Sequence, residues 1–331
     1  MTQRTEAIKK WLDIYWDSEA TEVTQVSGDA SFRRYFRTVD PDGKSWVVMD
    51  APPEKEDCVP FIDIEKRLSA AGLHVPQIIA HEPEQGFLLL EDLGDVQYLE
   101  ELNEESAPHL YGDALGALAA MQAHTSTDGL PLYDANLLRF EMELFRDWLC
   151  AEHLDLKLAE HEHDMLDEVF HQLTMNALEQ PQVFVHRDYH SRNLMLSHPP
   201  LPGIIDFQDA VVGPITYDLV SLLKDAYIRW PLQQVDAWAM DYAELAIEAG
   251  LMSASDKENF QRWFDLMGLQ RHIKVAGIFA RLYRRDGKAG YLEDIPLVLD
   301  YILEMEPRYE LIEPLCKLIR NSVIPGLQAA D

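Results

Sequence analysis

From about residue 104 the chain reads as helix almost to its end, and the exception constrains the fold most: one β-rich island, residues 182–207, set inside the helical part. The island's apolar flanks, Val183 to Val185 and Leu194 to Leu196, read as strand ends. Between them they hold His186, Arg187, Asp188 and Asn193 on a loop. Before residue 94 the pattern is different. Residues 2–16 place Ile8, Leu12 and Tyr15 on one helical face. Residues 22–26 and 33–39 then alternate in polarity, and Trp46 to Met49 is a short apolar run. Ser27-Gly28-Asp29 and Pro41-Asp42-Gly43 separate these segments as turn signals, which predicts a three-stranded antiparallel meander. A helix is expected over 57–71, burying Phe61, Ile64 and Leu68 and stopping at Gly72, with two more strands over 75–80 and 87–90. Helices are predicted over 106–124, 137–151 and 161–178, and helical pattern resumes at Tyr217. A sheet part followed by a helical part with a buried strand-and-loop insert is an unusual order, and few folds have it.

Composition narrows the function rather than the fold. The chain has 331 residues, enough for two packed lobes, and 47% of them are hydrophobic. Its 58 acidic against 28 basic residues give a formal net charge of -30. A field of that sign repels phosphate backbones and anionic lipid, so neither nucleic acid nor a membrane surface is an expected partner. Cys58, Cys150 and Cys316 are too widely spaced for a disulfide framework or a zinc site. Of the 12 histidines, none is expected to form a metal-ligand cluster with acidic neighbours. The first 16 residues lack the apolar core of a signal peptide, and no stretch approaches the roughly 20 apolar residues of a membrane span. A reducing, cytoplasmic location is the expectation, with no obligate protein partner evident.

Within the island, Asn193 follows Asp188 by five residues and Asp206 follows Asn193 by 13. Phosphoryl transfer needs a carboxylate to orient the attacking hydroxyl and accept its proton, and oxygen ligands for magnesium. Asp188 suits the first role; Asn193 and Asp206 suit the second. The competing reading is a polar hairpin whose Asp and Asn cap turns. A second concentration of charge lies at residues 269–290, which hold six of the 28 basic residues. Arg271, Lys274, Arg281 and Arg285 recur there at helical spacing, beside His272. They form either a basic wall for an acceptor or a set of surface ion pairs, each worth little. Trp230, Val235 and Trp238 read as core rather than as a stacking platform.

Residues 186–196 and 204–209 resemble the catalytic and metal-binding loops of the aminoglycoside phosphotransferase superfamily, small-molecule relatives of protein kinases. The resemblance runs from the Gly28 turn to the C-terminal helices. More narrowly, GDASFRRYFR, GFLLLEDLG, HRDYHSRNLM and QRHIKVAGIFARLYRRDGK are similar to the bacterial N-acetylmuramate/N-acetylglucosamine anomeric kinases of cell-wall recycling. The resemblance implies an α+β, protein-kinase-like fold of two lobes. Residues 1–93 would form a lobe with a five-stranded antiparallel sheet, and residues 94–331 a mainly helical lobe. It also implies ATP and Mg²⁺ as cofactors and a small amino sugar as acceptor, with other alcohols or a non-catalytic nucleotide-binding scaffold as alternatives. Carried over residue by residue, Asp188 is the base and Asn193 and Asp206 hold the metal. Glu91, Asp92 and Leu93 would offer the backbone that meets adenine, and Gly28 and Ser31 would belong to the turn covering the phosphates. His186 and Asp218 would brace the loop. The sequence departs from the family at the third strand, where a lysine is expected and Met49 stands. Arg34, with Arg33 and Lys44 behind it, is the expected replacement cation. Arg271, His272 and Arg281 are the expected acceptor contacts.

Overall fold

The computed structural model describes residues 3–18, 21–28 and 32–330. Its chain divides into two compact units, residues 1–101 with 193–209, and residues 102–192 with 210–331.

The first unit begins with α1 (Gln3–Trp16), followed by β1 (Val23–Gly28), β2 (Arg34–Val39) and β3 (Ser45–Asp50). Then come α2 (Val59–Ala70), β4 (Ile78–Glu82) and β5 (Phe87–Glu91). The five strands form one antiparallel sheet in the order β1-β2-β3-β5-β4. The register pairs Phe36 with Val48 and Val48 with Leu89, so these side chains share a face. Ile8 and Leu12 of α1 cover that face together with Trp46 and Phe87. Tyr15, expected on the buried side of α1, is 45% exposed; Trp11 and Trp16 flank the seam instead. α2 buries Phe61, Ile64 and Leu68 as its periodicity predicts. It stops where Gly72 turns to φ +82° and Leu73 N–H reaches back to Leu68 O at 3.1 Å.

The lobe boundary read from sequence needs correction. The first unit runs to residue 101 rather than 93 and takes in residues 193–209, the second half of the island. Backbone hydrogen bonds give the reason. β7 (Leu194–Met195) and β8 (Gly203–Ile204) form a short antiparallel ribbon. Leu196 N–H donates to Val96 O and Ile204 N–H to His74 O, both at 2.8 Å. Phe207 meets Phe61 of α2 at 4.7 Å between ring centroids.

The second unit is mainly helical, with α4 (Ala107–His124), α5 (Ala135–Leu144), α6 (Glu160–Leu178), α7 (Tyr217–Leu223), α8 (Leu232–Glu248) and α9 (Lys257–Asp286), after the short α3 (Tyr98–Glu101) of the first unit. α9, 30 residues long, runs through its core. The helix expected over 137–151 begins at 135, and from Phe145 to His153 its turns widen to π-helix. The widening starts where α9 crosses: a Cβ on Gly277 would lie 2.2 Å from Leu144 C and 2.4 Å from Phe145 N, so only glycine permits that approach. Trp230, Val235 and Trp238 are buried, as core. One small sheet interrupts the helices, β6 (Gln182–Val185) against β9 (Val211–Pro214). All three cysteines are free, and burial pushes the Cys316 thiol up to about 11. Among the described residues, no helix is long and apolar enough to cross a membrane.

Candidate active site

In the first unit, the ribbon brings together the two residues expected to hold a metal. Its register pairs Leu194 with Ile204 and Met195 with Gly203, which places Asn193 opposite Ile205, and Ile205 N–H donates to Asn193 O at 3.1 Å. Residues 13 apart in sequence thus become neighbours, and the Asn193 amide lies 3.5 Å from the Asp206 carboxylate. Asp206 sits at φ +65°, a backbone region that non-glycine residues seldom occupy, and its carboxylate also accepts Gln208 Nε2–H at 2.9 Å. A carboxylate and an amide at this spacing are a suitable hard-oxygen donor set for magnesium, which keeps water in its other positions.

β5 ends at Glu91, whose N–H donates to Gln77 O at 2.9 Å. The Asp92 carboxylate is taken up by Arg37 (2.7 and 3.0 Å), Ser45 Oγ–H and Gly94 N–H. Burial opposes its ionisation, but these partners hold its pKa below the usual carboxylate range. Asp92 therefore anchors this segment through its side chain. Leu93 is buried. Gly28 ends β1 opposite Arg34. The turn that follows, Ser31 included, lies outside the described residues.

Arg34 is not where a replacement for the third-strand lysine is needed. It pairs across the sheet with Asp50, while Met49 pairs with Tyr35, so Arg34 and Met49 face opposite sides. On its side Arg34 binds the fully buried Asp50 (3.1 Å), which Arg4 of α1 also contacts (2.7 Å). Its charge is spent on α1 and the sheet. Of the other two candidates, Lys44 lies over the Trp46 ring at 4.1 Å and Arg33 is 3.8 Å from Glu56. Met49 is fully buried, and Glu65 of α2 accepts Ser69 Oγ–H at 2.9 Å.

In the second unit, Asp188 follows β6 on a loop whose backbone is pinned from several directions. Asp218, in the first turn of α7, accepts His186 N–H (2.7 Å) and Arg187 N–H (2.9 Å) with its two oxygens. His186 Nδ1 accepts Asp188 N–H at 3.2 Å, Tyr189 O–H donates to Ala114 O at 2.8 Å, and Asp225 accepts Ser191 N–H at 3.0 Å. These bonds hold Arg187 at φ +78°. Burial pushes the Asp218 carboxyl up to about 7 against its two backbone donors.

Asp188 itself is half-buried. Burial would raise its pKa, but Lys274, His190, Arg271 and Arg187 outweigh it and hold the carboxyl below its ordinary value. Asp188 is thus ionised at neutral pH. Lys274 and Arg271, each 5% exposed, come from adjacent turns of α9. Lys274 Nζ–H donates to Tyr217 Oη at 2.7 Å and lies 3.1 Å from Glu141 of α5. Glu141 also binds the Arg187 guanidinium at 2.6 Å and accepts the Tyr133 O–H. Burial opposes its charge, yet Lys274 and Arg187 keep it ionised. The carboxylate of Glu141 and the cations around it hold one another in place.

The sequence reading missed Glu141 and His190. Glu141 did leave a trace, since it stands between Leu138 and Met142 on the apolar stripe of α5, where a charge has no place unless paired. Burial lowers the His190 pKa despite Asp225 and Asp188, and its Nδ1 has no hydrogen-bond partner among the described residues. One of the three expected acceptor contacts, His272, needs correction. His272 is buried, bonds Lys224 O through Nε2 at 2.9 Å and stacks on Tyr301 at 4.6 Å, and burial drops its pKa to about 3. It is a neutral structural ring. Arg281 lies ten residues past Arg271, about 15 Å along the helix at 1.5 Å per residue. Its charged neighbours are Arg285, Asp286 and Glu141. Arg285 pairs with Asp286 at the surface, so the basic face of α9 divides into a buried part at 271–274 and an exposed part.

One consequence can be measured. Lys274→Met removes the strongest influence that lowers the Asp188 pKa, so the acid limb of the pH–kcat/KM profile is expected to move to higher pH. On the alkaline plateau the loss should be no more than about ten-fold. An acid limb at the wild-type position would show that Lys274 does not poise Asp188.

The sequence model of the phosphotransferase enzyme family matches residues 22–252. The chain is 45% identical over 326 residues to an N-acetylmuramate/N-acetylglucosamine kinase of Pseudomonas putida, covering 96% of each protein. It is 49% identical over 281 residues to the protein of the same name from Pseudomonas aeruginosa, covering 85% of this chain and 82% of the relative. Among solved structures, a choline kinase from Cryptosporidium parvum superposes with a TM-score of 0.66 at 12% identity, over 96% of this chain and 100% of the other. That likeness is one of fold, the α+β protein-kinase-like fold.

Proposed function

The chain belongs to the phosphotransferase enzyme family and is an enzyme that phosphorylates a hydroxyl acceptor, and from this we propose that it transfers the γ-phosphoryl group of ATP to the anomeric hydroxyl of N-acetylmuramate and N-acetylglucosamine. The observation that carries the reading is Asp188, a carboxylate kept ionised by a ring of cations on a rigidly pinned loop, in a chain 45% identical end to end to a kinase of that name.

In this mechanism the Asp188 carboxylate accepts a hydrogen bond from the anomeric O–H, orients that oxygen, and takes the proton as the new O–P bond forms and the bond to the β-phosphate oxygen breaks. The products are a sugar 1-phosphate and ADP. Asn193 and Asp206 would hold magnesium, which when bound offsets phosphate charge. The backbone of 91–93 would meet the base, and Gly28 with the turn after it would cover the phosphates. Arg271 is suited to a carboxylate on the acceptor, such as the lactyl group of N-acetylmuramate, through a bidentate pair. Acceleration comes mainly from positioning and fixed charge.

The test is an acceptor panel in a coupled ADP-release assay. N-acetylmuramate and N-acetylglucosamine should exceed kanamycin, choline and homoserine in kcat/KM by on the order of 100-fold or more, because buried polar groups built for one substrate are left unpaired by the others. A lead by any of the other three would replace the acceptor proposed here. ADP release with none of the five would favour a nucleotide-binding scaffold.

A further inference from the structure

We propose that His74, Glu91 and His198 form a binding site for a zinc-class divalent ion in the first unit, separate from the Asn193 and Asp206 pair. The three residues come from the segment before β4, the end of β5 and the connection between β7 and β8, so only the fold unites them. One ligand atom from each lies within 4.8 Å of the other two. His198 Nε2 is 3.7 Å from Glu91 Oε1, and the two imidazole rings are 4.7 Å apart.

The contacts of His74 support this beside proximity. Its Nδ1 lies 3.0 Å from Pro200 O and 3.2 Å from Ser197 Oγ; the carbonyl only accepts, and a proton on Nδ1 that satisfies it would leave Nε2 its lone pair. A ring nitrogen bonded to a backbone carbonyl, leaving the opposite nitrogen as donor, is the arrangement that supports histidine ligands in metal sites. The frame around the trio is held by main-chain bonds, Ile204 N–H to His74 O (2.8 Å) and Glu91 N–H to Gln77 O (2.9 Å). Two imidazoles and a carboxylate are a donor set of open zinc sites, with a fourth position left to water. Ligands at about 2.0–2.1 Å from a tetrahedral ion stand about 3.4 Å apart, so the side chains need draw in by only about 1 Å. The His198 side chain, 67% exposed, is able to make that move. Imidazole selects zinc, nickel or copper over magnesium, so this site and the oxygen pair at 193 and 206 would not compete for one ion.

The test uses untagged full-length protein freed of metal and titrated calorimetrically with ZnCl₂ in excess MgCl₂. One equivalent should bind with Kd below about 10 μM, and cobalt should give the visible absorption of a tetrahedral ion. His198→Ala and Glu91→Gln should each weaken that equivalent by at least ten-fold. The exposed His198 should tolerate replacement without loss of metal-free thermal stability. Weaker wild-type binding, or an equivalent unchanged in both variants, overturns the site. The outcome is independent of whether the sugar kinase reading holds.

Discussion

Asp188→Asn is expected to lower kcat by about 10²- to 10⁴-fold, the range over which a positioned base contributes, while the protein stays folded and still binds nucleotide. Asparagine keeps the shape of the side chain and can accept a hydrogen bond from the sugar, but it cannot take the proton. The loop should survive the change because several anchors run through other groups. They run from His186 and Arg187 N–H to Asp218, from Tyr189 to Ala114 and from Ser191 to Asp225. Removing a negative charge from among Lys274, Arg271 and Arg187 should cost some thermal stability without unfolding the unit. ADP release in the coupled assay, circular dichroism and calorimetric nucleotide titration together make the check. Turnover within a few-fold of wild type would remove Asp188 from the role of base.

Asp265→Ala should destabilise the protein by about 3–5 kcal/mol, the cost of stranding a buried charge. Asp265 is fully buried on α9 and accepts from Lys224 Nζ (2.8 Å), Arg308 (2.9 Å) and Tyr309 O–H (3.0 Å). Arg308 keeps Asp236 as a second carboxylate. Lys224, 2% exposed, has no second carboxylate among the described residues and only Met305 Sδ at 3.6 Å besides, so its ammonium is the group left stranded. The double variant Lys224→Met with Asp265→Leu should recover most of the loss, since two apolar side chains of similar size remove the need for the pair. Urea denaturation followed by tryptophan fluorescence measures both. If the double variant were as unstable as the single, the loss would come from packing and not from the stranded charge. The consequence reaches the catalytic loop, because Lys224 O accepts His272 and the next residue, Asp225, holds Ser191.

Much of this molecule could be read before it was folded, and the legible parts share a property. Alternation in β2, the i, i+3, i+4 spacing of Phe61, Ile64 and Leu68, and the stop at Gly72 are local, so neighbouring residues carry them. The spacing of Asp188, Asn193 and Asp206 is local too, because one loop and one short ribbon hold all three. The face on which a strand residue lies is different. The side-chain period is two, so a reading that is right about the strand can still be wrong about Arg34, which register turns toward Asp50 and away from the side of Met49.

By itself the sequence determined the order of sheet and helix and the island between helices, and it singled out Asp188, Asn193 and Asp206 as candidates, because each depends on groups close along the chain. Only the tertiary structure decided which charges meet. It brought Glu141 to Arg187 and Lys274, turned His272 to a backbone carbonyl, and gathered His74, Glu91 and His198 from three segments. The physical reason is range. Backbone preference and hydrophobic period act over a few residues, whereas the pairing of buried charges is fixed by helix crossings and strand register, which bring together groups more than a hundred positions apart.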